Sequence, residues 1–225
     1  MKKTITKLFS VAIIVLTTIS FSACSKQKFH VNGAITDAKD SILYFENISL
    51  KGPVIVDSVK LSSDGTFSFS DDSPHAPEFY RLRINDQIIN LAIDSTETVT
   101  FKAKYPTMPT DYTVEGSYEC SKIKELALLQ ITLTNKALAL EANTELGANA
   151  VRENLKMALN TYKNYVKQYY IFKEPNKAYA YFALFQTLGN YLIFDPQSNR
   201  DDIKVYAAVA TSWDTFYPKS VRGKN

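Results

Sequence analysis

Two cysteines, two histidines and two adjacent carboxylate pairs are the residues of this chain with the most obvious reactive chemistry. Disulfide exchange within one chain needs an attacking thiolate and a second thiol to resolve the mixed disulfide, which reductases supply as Cys-x-x-Cys. Cys24 and Cys120 are far apart in sequence and form no such motif. Cys120 stands where a helix start would favour its thiolate, but its expected role is a small, partly buried filler on the first turn. His30 and His75 have no second histidine or cysteine at ligand spacing, so no metal site is expected. No Gly-x-Ser-x-Gly elbow is present, and the seven glycines lie too far apart for a phosphate cradle. General acid and base catalysis needs two carboxyl groups converging on one bond, which neighbours in sequence rarely do. Asp71-Asp72 is therefore expected in a turn before Ser73-Pro74, and Asp201-Asp202 in a helix first turn, where the macrodipole favours acids. No catalytic residue, cofactor or metal follows from these residues, and a hydrolase would need acids from distant segments to converge.

Cys24 has a different chemistry. Lys2, Lys3 and Lys7 precede an uncharged, mostly apolar run from Leu8 to Phe21, and small residues Ser22 and Ala23 stand just ahead of the cysteine. The run is shorter than the roughly 20 residues a spanning helix needs, so it has the layout of an export signal. Bacterial lipoprotein signals end in this way, with a cysteine acylated on sulfur and then on the new amino terminus; here Phe21 stands where Leu is usual. The expectation is a signal peptide over 1–23, a lipidation site at Cys24 and a lipid-anchored, periplasm-facing protein of the cell envelope. Each buried CH2 of the acyl chains contributes about 0.8 kcal/mol, which makes a multiply acylated anchor stable. Loss of the first three lysines leaves 23 basic and 23 acidic side chains. A chain without net charge or a basic patch is not expected to bind nucleic acid.

The elements that must position these residues show two different periods. From Phe29 to about Ser117, β-branched and aromatic residues fall in short runs cut by turns: Phe29 to Thr36, Ile42 to Ile48, Val54 to Leu61, Thr66 to Ser70, Glu78 to Ile84, Ile88 to Ile93, Thr98 to Ala103 and Tyr112 to Glu115. Phe67 and Phe69 alternate with Thr66, Ser68 and Ser70, as a half-buried strand requires. Asp64-Gly65 reads as a hairpin turn and Asn85-Asp86 as a weaker one. Eight such strands predict an antiparallel β-sandwich or barrel over 24–116.

Beyond Ser117 the apolar spacing alternates between three and four. Ile123, Leu126, Gln130, Leu133, Ala137 and Leu140 predict one helix stripe, and Val151, Leu155, Ala158, Tyr162, Tyr165 and Tyr169 a second. Lys177 to Leu188 predicts a third helix closed by Gly189-Asn190, and Ser198-Asn199-Arg200-Asp201 a capping box that opens a fourth reaching Phe216. The fold class expected is α+β, with an N-terminal antiparallel β-sandwich followed by a C-terminal helical bundle over 117–225. Net charge is −4 from Cys24 to Tyr118 and +4 from Glu119 onward, which favours docking of the two parts. Fifteen of the 28 aromatic residues lie between Tyr162 and Tyr217. Their spacing predicts a helical core with tyrosine hydroxyls at its wet rim; a groove for an aromatic-rich peptide or a sugar face is the alternative.

Pro53-Val-Ile-Val-Asp-Ser-Val-Lys-Leu, Asp64-Gly-Thr-Phe-Ser-Phe, Phe79-Tyr-Arg-Leu and Leu91-Ala-Ile-Asp-Ser-Thr-Glu-Thr-Val-Thr-Phe carry a further signal. Together they resemble the amino-terminal domain of unknown function of many Bacteroidota lipoproteins, in which a thioredoxin-like domain of the periplasmic disulfide-reductase type follows. The resemblance covers Phe29 to Phe101, and the stretch Thr211-Ser-Trp-Asp-Thr-Phe-Tyr-Pro resembles the bundle that joins the two domains. By that resemblance the thioredoxin-like domain would begin after Val221-Arg-Gly-Lys-Asn, so none of its catalytic residues has a counterpart here. The resemblance implies a truncated product or a stand-alone relative, with the membrane and a thioredoxin-like domain as expected partners. A non-catalytic positioning or interaction module is the leading expectation, and a glycan- or peptide-binding envelope lipoprotein the second.

Overall fold

The computed structural model describes residues 27–224. The expectations for the signal segment and for Cys24 fall outside those residues. Strands β1 (Lys28–Thr36), β4 (Thr66–Asp72), β7 (Thr98–Lys104) and β8 (Tyr112–Glu115) form one sheet in the order β4-β1-β7-β8. A second sheet holds β2 (Ile42–Ser49), β3 (Gly52–Lys60), β5 (Glu78–Ile84) and β6 (Gln87–Ile93) in the order β3-β2-β5-β6. Alternation sets the inner faces: Phe67 and Phe69 are buried between exposed Thr66, Ser68 and Ser70. Phe45 of the second sheet stacks on Phe69 of the first at 5.3 Å and on Tyr80 beside it at 5.0 Å. Removing these rings from water, at about 25 cal/mol per Å² of apolar surface, is the main force holding the sheets together.

The strands fall where the sequence predicts them, but several connections differ. β3 and β4 belong to different sheets, so Asp64-Gly65 is a crossing between the layers and not a hairpin. Asp64 Oδ1 closes this turn locally by accepting from the Ser62 hydroxyl at 2.5 Å and from Thr66 N at 3.2 Å. Glycine is needed at 65 because its φ is +66° and because a Cβ there would lie 1.9 Å from the Ile35 carbonyl oxygen. The two-residue hairpin is Asn85-Asp86, where Ile84 pairs with Gln87 and Asn85 adopts φ +52°. One pair, β1 with β7, runs parallel, while the other strand pairs of the two sheets are antiparallel. Asp71 and Asp72 form the end of β4, opposite Phe29 and Lys28, and are not in the turn expected for them.

Helix α1 (Tyr118–Glu141) starts where Ser117 Oγ accepts from Cys120 N at 3.3 Å. Helix α2 (Ala148–Val166) runs on into a π-helical turn at Lys167–Ile171. Its buried stripe is Ala158, Tyr162, Val166 and then Tyr170, whereas Tyr165 and Tyr169 are exposed. The predicted stripe drifts off the core because a spacing of four from Tyr162 passes through Val166, and the wider π turn then brings Tyr170 and Ile171 inward. Helix α3 (Ala178–Leu184) is shorter than expected. Past it, β9 (Thr187–Leu188) and β10 (Tyr191–Leu192) pair around Gly189-Asn190, so the left-handed Gly189 (φ +59°) turns a hairpin and does not cap a helix. Helix α4 (Arg200–Phe216) is capped by Asn199, one residue after the predicted Ser198, with Asn199 Oδ1 accepting from Asp201 N at 3.0 Å.

The helices pack on the outer face of the second sheet. Phe79 and Ala92 point away from the sandwich core and join a second buried cluster with Ile123, Leu126, Tyr179 and Trp213. The chain then returns to the sheet, where Arg222 Nη2 donates to Glu78 Oε2 at 2.7 Å and to the Ile48 carbonyl at 2.5 Å. Among the described residues no helix is long and apolar enough to cross a membrane.

Candidate functional site

On the outer face of the second sheet, side chains fall in rows across the strands. Arg81 of β5 lies opposite Glu46 of β2 on one side and Asn90 of β6 on the other. One row along, Phe79 pairs with Ala92 under the helices. Because α1 covers β6 and α3 stands over Phe79, the uncovered part of this face becomes the wall of a cleft. The cleft has a volume of about 490 Å³, within the usual size range of small-ligand sites. Its apolar lining includes Ile48, Leu50, Phe79, Tyr181, Phe182 and Phe185, and its polar lining is Asn90, Gln130, Gln186 and Arg222.

Most of the polar wall is already satisfied. Gln186, buried just past the C-cap of α3, donates from Nε2 to the Leu126 carbonyl at 2.9 Å and to Gln130 Oε1 at 3.2 Å. Its Oε1 accepts from the Tyr162 hydroxyl at 2.5 Å, and Gln130 Nε2 donates to the Thr187 carbonyl at 2.8 Å. This amide relay ties α1, α2 and the β9–β10 hairpin together and fixes the orientation of both glutamines. Arg222 is 6% exposed, is paired with Glu78 and lies 5.1 Å over the Phe79 ring. Burial raises the Tyr181 pKa, and Arg222 opposes that effect. The cleft surface is thus aromatic, neutral and rigidly braced, while Phe185 and Leu50 are each 50% exposed at its mouth.

Beside Asn90, on the same face of the sheet, two arginines gather around one carboxylate. Glu46, nearly fully buried, accepts from Arg81 Nε at 2.5 Å and from Arg83 Nε and Nη2 at 3.1 and 2.7 Å. Hydrogen bonding to Arg83 is the main reason the Glu46 carboxyl stays below its ordinary range. Two guanidinium groups share this one carboxylate, and Arg83 also stacks on Tyr44 at 4.6 Å. A second hollow of about 250 Å³ adjoins the cleft, lined by Ile88, Pro109, Tyr112, Ile131 and Thr134 and sharing Asn90 and Gln130 with it.

A separate aromatic surface lies on α2 and the start of α1. Tyr165 and Tyr169 stand 4.8 Å apart and are 45% and 51% exposed. The rings continue through Tyr170 to Tyr179 and Tyr118, with Lys122 5.6 Å from the Tyr118 ring and paired to Glu125. The aromatic residues therefore divide: Tyr162, Tyr170, Tyr179 and Trp213 build core, and others face solvent.

The residues singled out from sequence do not converge on the cleft. Cys120 is 1% exposed in the sandwich core, donates from Sγ to the Ala92 carbonyl at 3.2 Å, and burial pushes its thiol up to about 12. It is more deeply buried than expected. His30 and His75 are exposed and apart, and no group of three or more His, Cys, Asp or Glu side chains placed to hold a metal occurs among the described residues. Asp201 is exposed and pairs with Lys204 at 3.1 Å. Asp202 differs from a solvated first-turn acid, being 1% exposed and paired to Lys163 at 2.5 Å. Gln130 is the one cleft residue in a predicted stripe; Asn90, Arg81 and Arg222 are not legible as site residues. Phe79, in phase with Arg81 and Arg83 on a strand whose inner positions are Tyr80, Leu82 and Ile84, is the signal that this outer face is covered.

Residues 29–122, the eight sandwich strands and the first turn of α1, match the family model described as "Domain of unknown function (DUF4369)". No curated protein matches the chain. Among solved structures, the crystal structure of (S)-allantoin synthase is similar over 41% of this chain and 45% of its own, with 10% identity and a TM-score of 0.30. The chain thus spans less than half of that protein's length.

Proposed function

We propose that this chain is a lipid-anchored, non-catalytic module of the cell envelope that holds a partner near the membrane. The cleft between the second sheet and the helices is its recognition surface. The observation that carries this reading is the cleft's lining, a rigid aromatic wall whose polar groups are largely satisfied and which offers no nucleophile or carboxylate to a ligand. Cys120, buried with its thiol held neutral, fits the same reading. By the sequence resemblance, the natural partner is a thioredoxin-like domain, held periplasm-facing through acylated Cys24. Labelling cells with an alkyne fatty acid tests the anchor: wild type should take the label and Cys24→Ala should lose it, and equal labelling would remove the anchor from the proposal. Insulin reduction with a dithiol donor tests the absence of catalysis, with no multiple turnover expected. Turnover abolished by Cys120→Ser would overturn it.

A second reading, glycan binding, is favoured by one observation: the exposed Tyr165–Tyr169 pair presents rings and hydroxyls together, as sugar-binding faces do. Retention on immobilised envelope glycan that is lost in Tyr165→Ala/Tyr169→Ala would support this reading over the first.

A further inference from the structure

The cleft and the adjoining hollow share Asn90 and Gln130 as wall residues where β6 meets α1, and the cleft is the larger groove of the two. The cleft is mostly apolar, whereas the hollow also carries Thr134 and Asn135. Gln130, Gln186 and Arg222 are committed to the protein partners named above, but the Asn90 amide makes no hydrogen bond to any described residue. An amide in that position offers an NH2 group as donor and a carbonyl as acceptor, which complement the C=O and N–H of a peptide backbone. Beside it in the row stands Arg81, which gives only Nε to Glu46 among the described residues, leaving its terminal nitrogens unengaged. Since Arg81 and Arg83 share a single carboxylate, this cluster beside Asn90 carries one positive charge more than negative. A planar guanidinium with two free nitrogens suits a carboxylate.

We propose that the groove binds the free C-terminus of an apolar peptide. The terminal carboxylate sits on Arg81, the backbone amide before it pairs with Asn90, and an aromatic or aliphatic side chain enters the basin lined by Phe79, Tyr181 and Phe185. This rests on the reading of the cleft as a recognition surface and adds the chemistry of its ligand. A glycan satisfies the amide but not the charge, and a fatty acid satisfies the charge but leaves the amide unpaired.

The experiment uses the full chain and a fluorescein-labelled pentapeptide ending in Leu-Ala-Phe, titrated by fluorescence anisotropy as the free acid and as the C-terminal amide. The acid should bind at least about tenfold more tightly, the scale of one charge-assisted hydrogen-bonded pair. Arg81→Gln should reduce the acid to the amide's affinity and leave the amide unchanged. Phe185→Ala, at a half-exposed position that should tolerate truncation, should weaken both. Circular dichroism confirms the fold of each variant, and Arg81→Met replaces Arg81→Gln if the latter does not fold. Equal binding of acid and amide would overturn the proposal. Displacement of the peptide by dodecanoate at equal affinity, still dependent on Phe185, would overturn the peptide assignment while keeping the cleft as a recognition surface. Absence of binding, or binding that Phe185→Ala does not change, would overturn both.

Discussion

Two buried glutamates respond to folding in opposite directions. Glu119, on the first turn of α1, accepts from Tyr179 N at 3.2 Å and faces Lys177 Nζ at 3.4 Å. Burial outweighs these contacts and raises its carboxyl above the ordinary 4.5. The folded chain then keeps a proton that the unfolded chain releases, so the stability this group contributes is full below pH 4.5 and is lost as pH rises through the folded value. Glu46, held between Arg81 and Arg83, lies below 4.5, so its contribution is present above that pH and is lost as pH falls through the folded value. Urea midpoints of Glu119→Gln and Glu46→Gln, followed against wild type from about pH 3 to about pH 8, should therefore diverge. Rising pH should favour Glu119→Gln relative to wild type and disfavour Glu46→Gln; differences of the same slope would contradict the assignment. At Cys120, where burial keeps the thiol neutral, iodoacetamide should label wild type only in denaturant. Labelling of Cys120, located by peptide mass, in the native chain at the rate of free cysteine would show the residue to be accessible.

Between elements, the link to examine is Lys163 of α2 with Asp202 of α4. Both are nearly fully buried, and Asp202 Oδ2 also accepts from Asp195 N at 2.9 Å. Removing one partner strands a buried charge, so Lys163→Met should cost about 3–5 kcal/mol, while Lys163→Met/Asp202→Leu should recover most of that loss. Chemical denaturation of the two variants measures the difference, and a double variant no more stable than the single would show the pair to be held by something other than its charges. This pair also shows where the sequence is silent. Period two placed all eight sandwich strands and period three-to-four the first two helices, because burial of one face repeats locally along the chain, whereas the last two helices rest on cap signals, and the third ends before its predicted cap. Which acid of Asp201-Asp202 is buried depends on what α4 meets across space, and that is not written locally. The same holds for Asp64-Gly65, whose turn chemistry suits a hairpin while the pairing of β3 with β2 and of β4 with β1 makes it a crossing. For the site, the aromatic density near Tyr181 and Phe185 was visible, but Asn90, Arg81 and Arg222 come together only through cross-strand register and the return of the chain at Arg222.

At the scale of the whole molecule, the sandwich and the helices are joined by a shared apolar cluster more than by their opposite charges. The net charges of −4 and +4 act across solvent and weaken with salt. Phe79 and Ala92, in contrast, are sandwich residues whose side chains are buried among helix residues, and Trp213 lies 6.4 Å from Phe79 and 4.6 Å from Tyr181 within that cluster. Trp213 is the only tryptophan of the chain and is fully buried, so its emission reports on the junction, while far-ultraviolet circular dichroism reports on strands and helices together. Shared burial makes the two parts unfold together, and the two signals should give coincident urea transitions in wild type, coincident at low and at high salt alike. Ala92→Asp places a carboxylate in the apolar cluster under α1, which costs several kcal/mol at the junction while leaving the inward-facing core of the sandwich intact. In that variant Trp213 emission should shift to the red at lower urea than the last part of the far-ultraviolet signal is lost. Coincident transitions in Ala92→Asp, at any stability, would mean that the sandwich does not persist once the helices leave it, and that the β-domain and the bundle are a single folding unit.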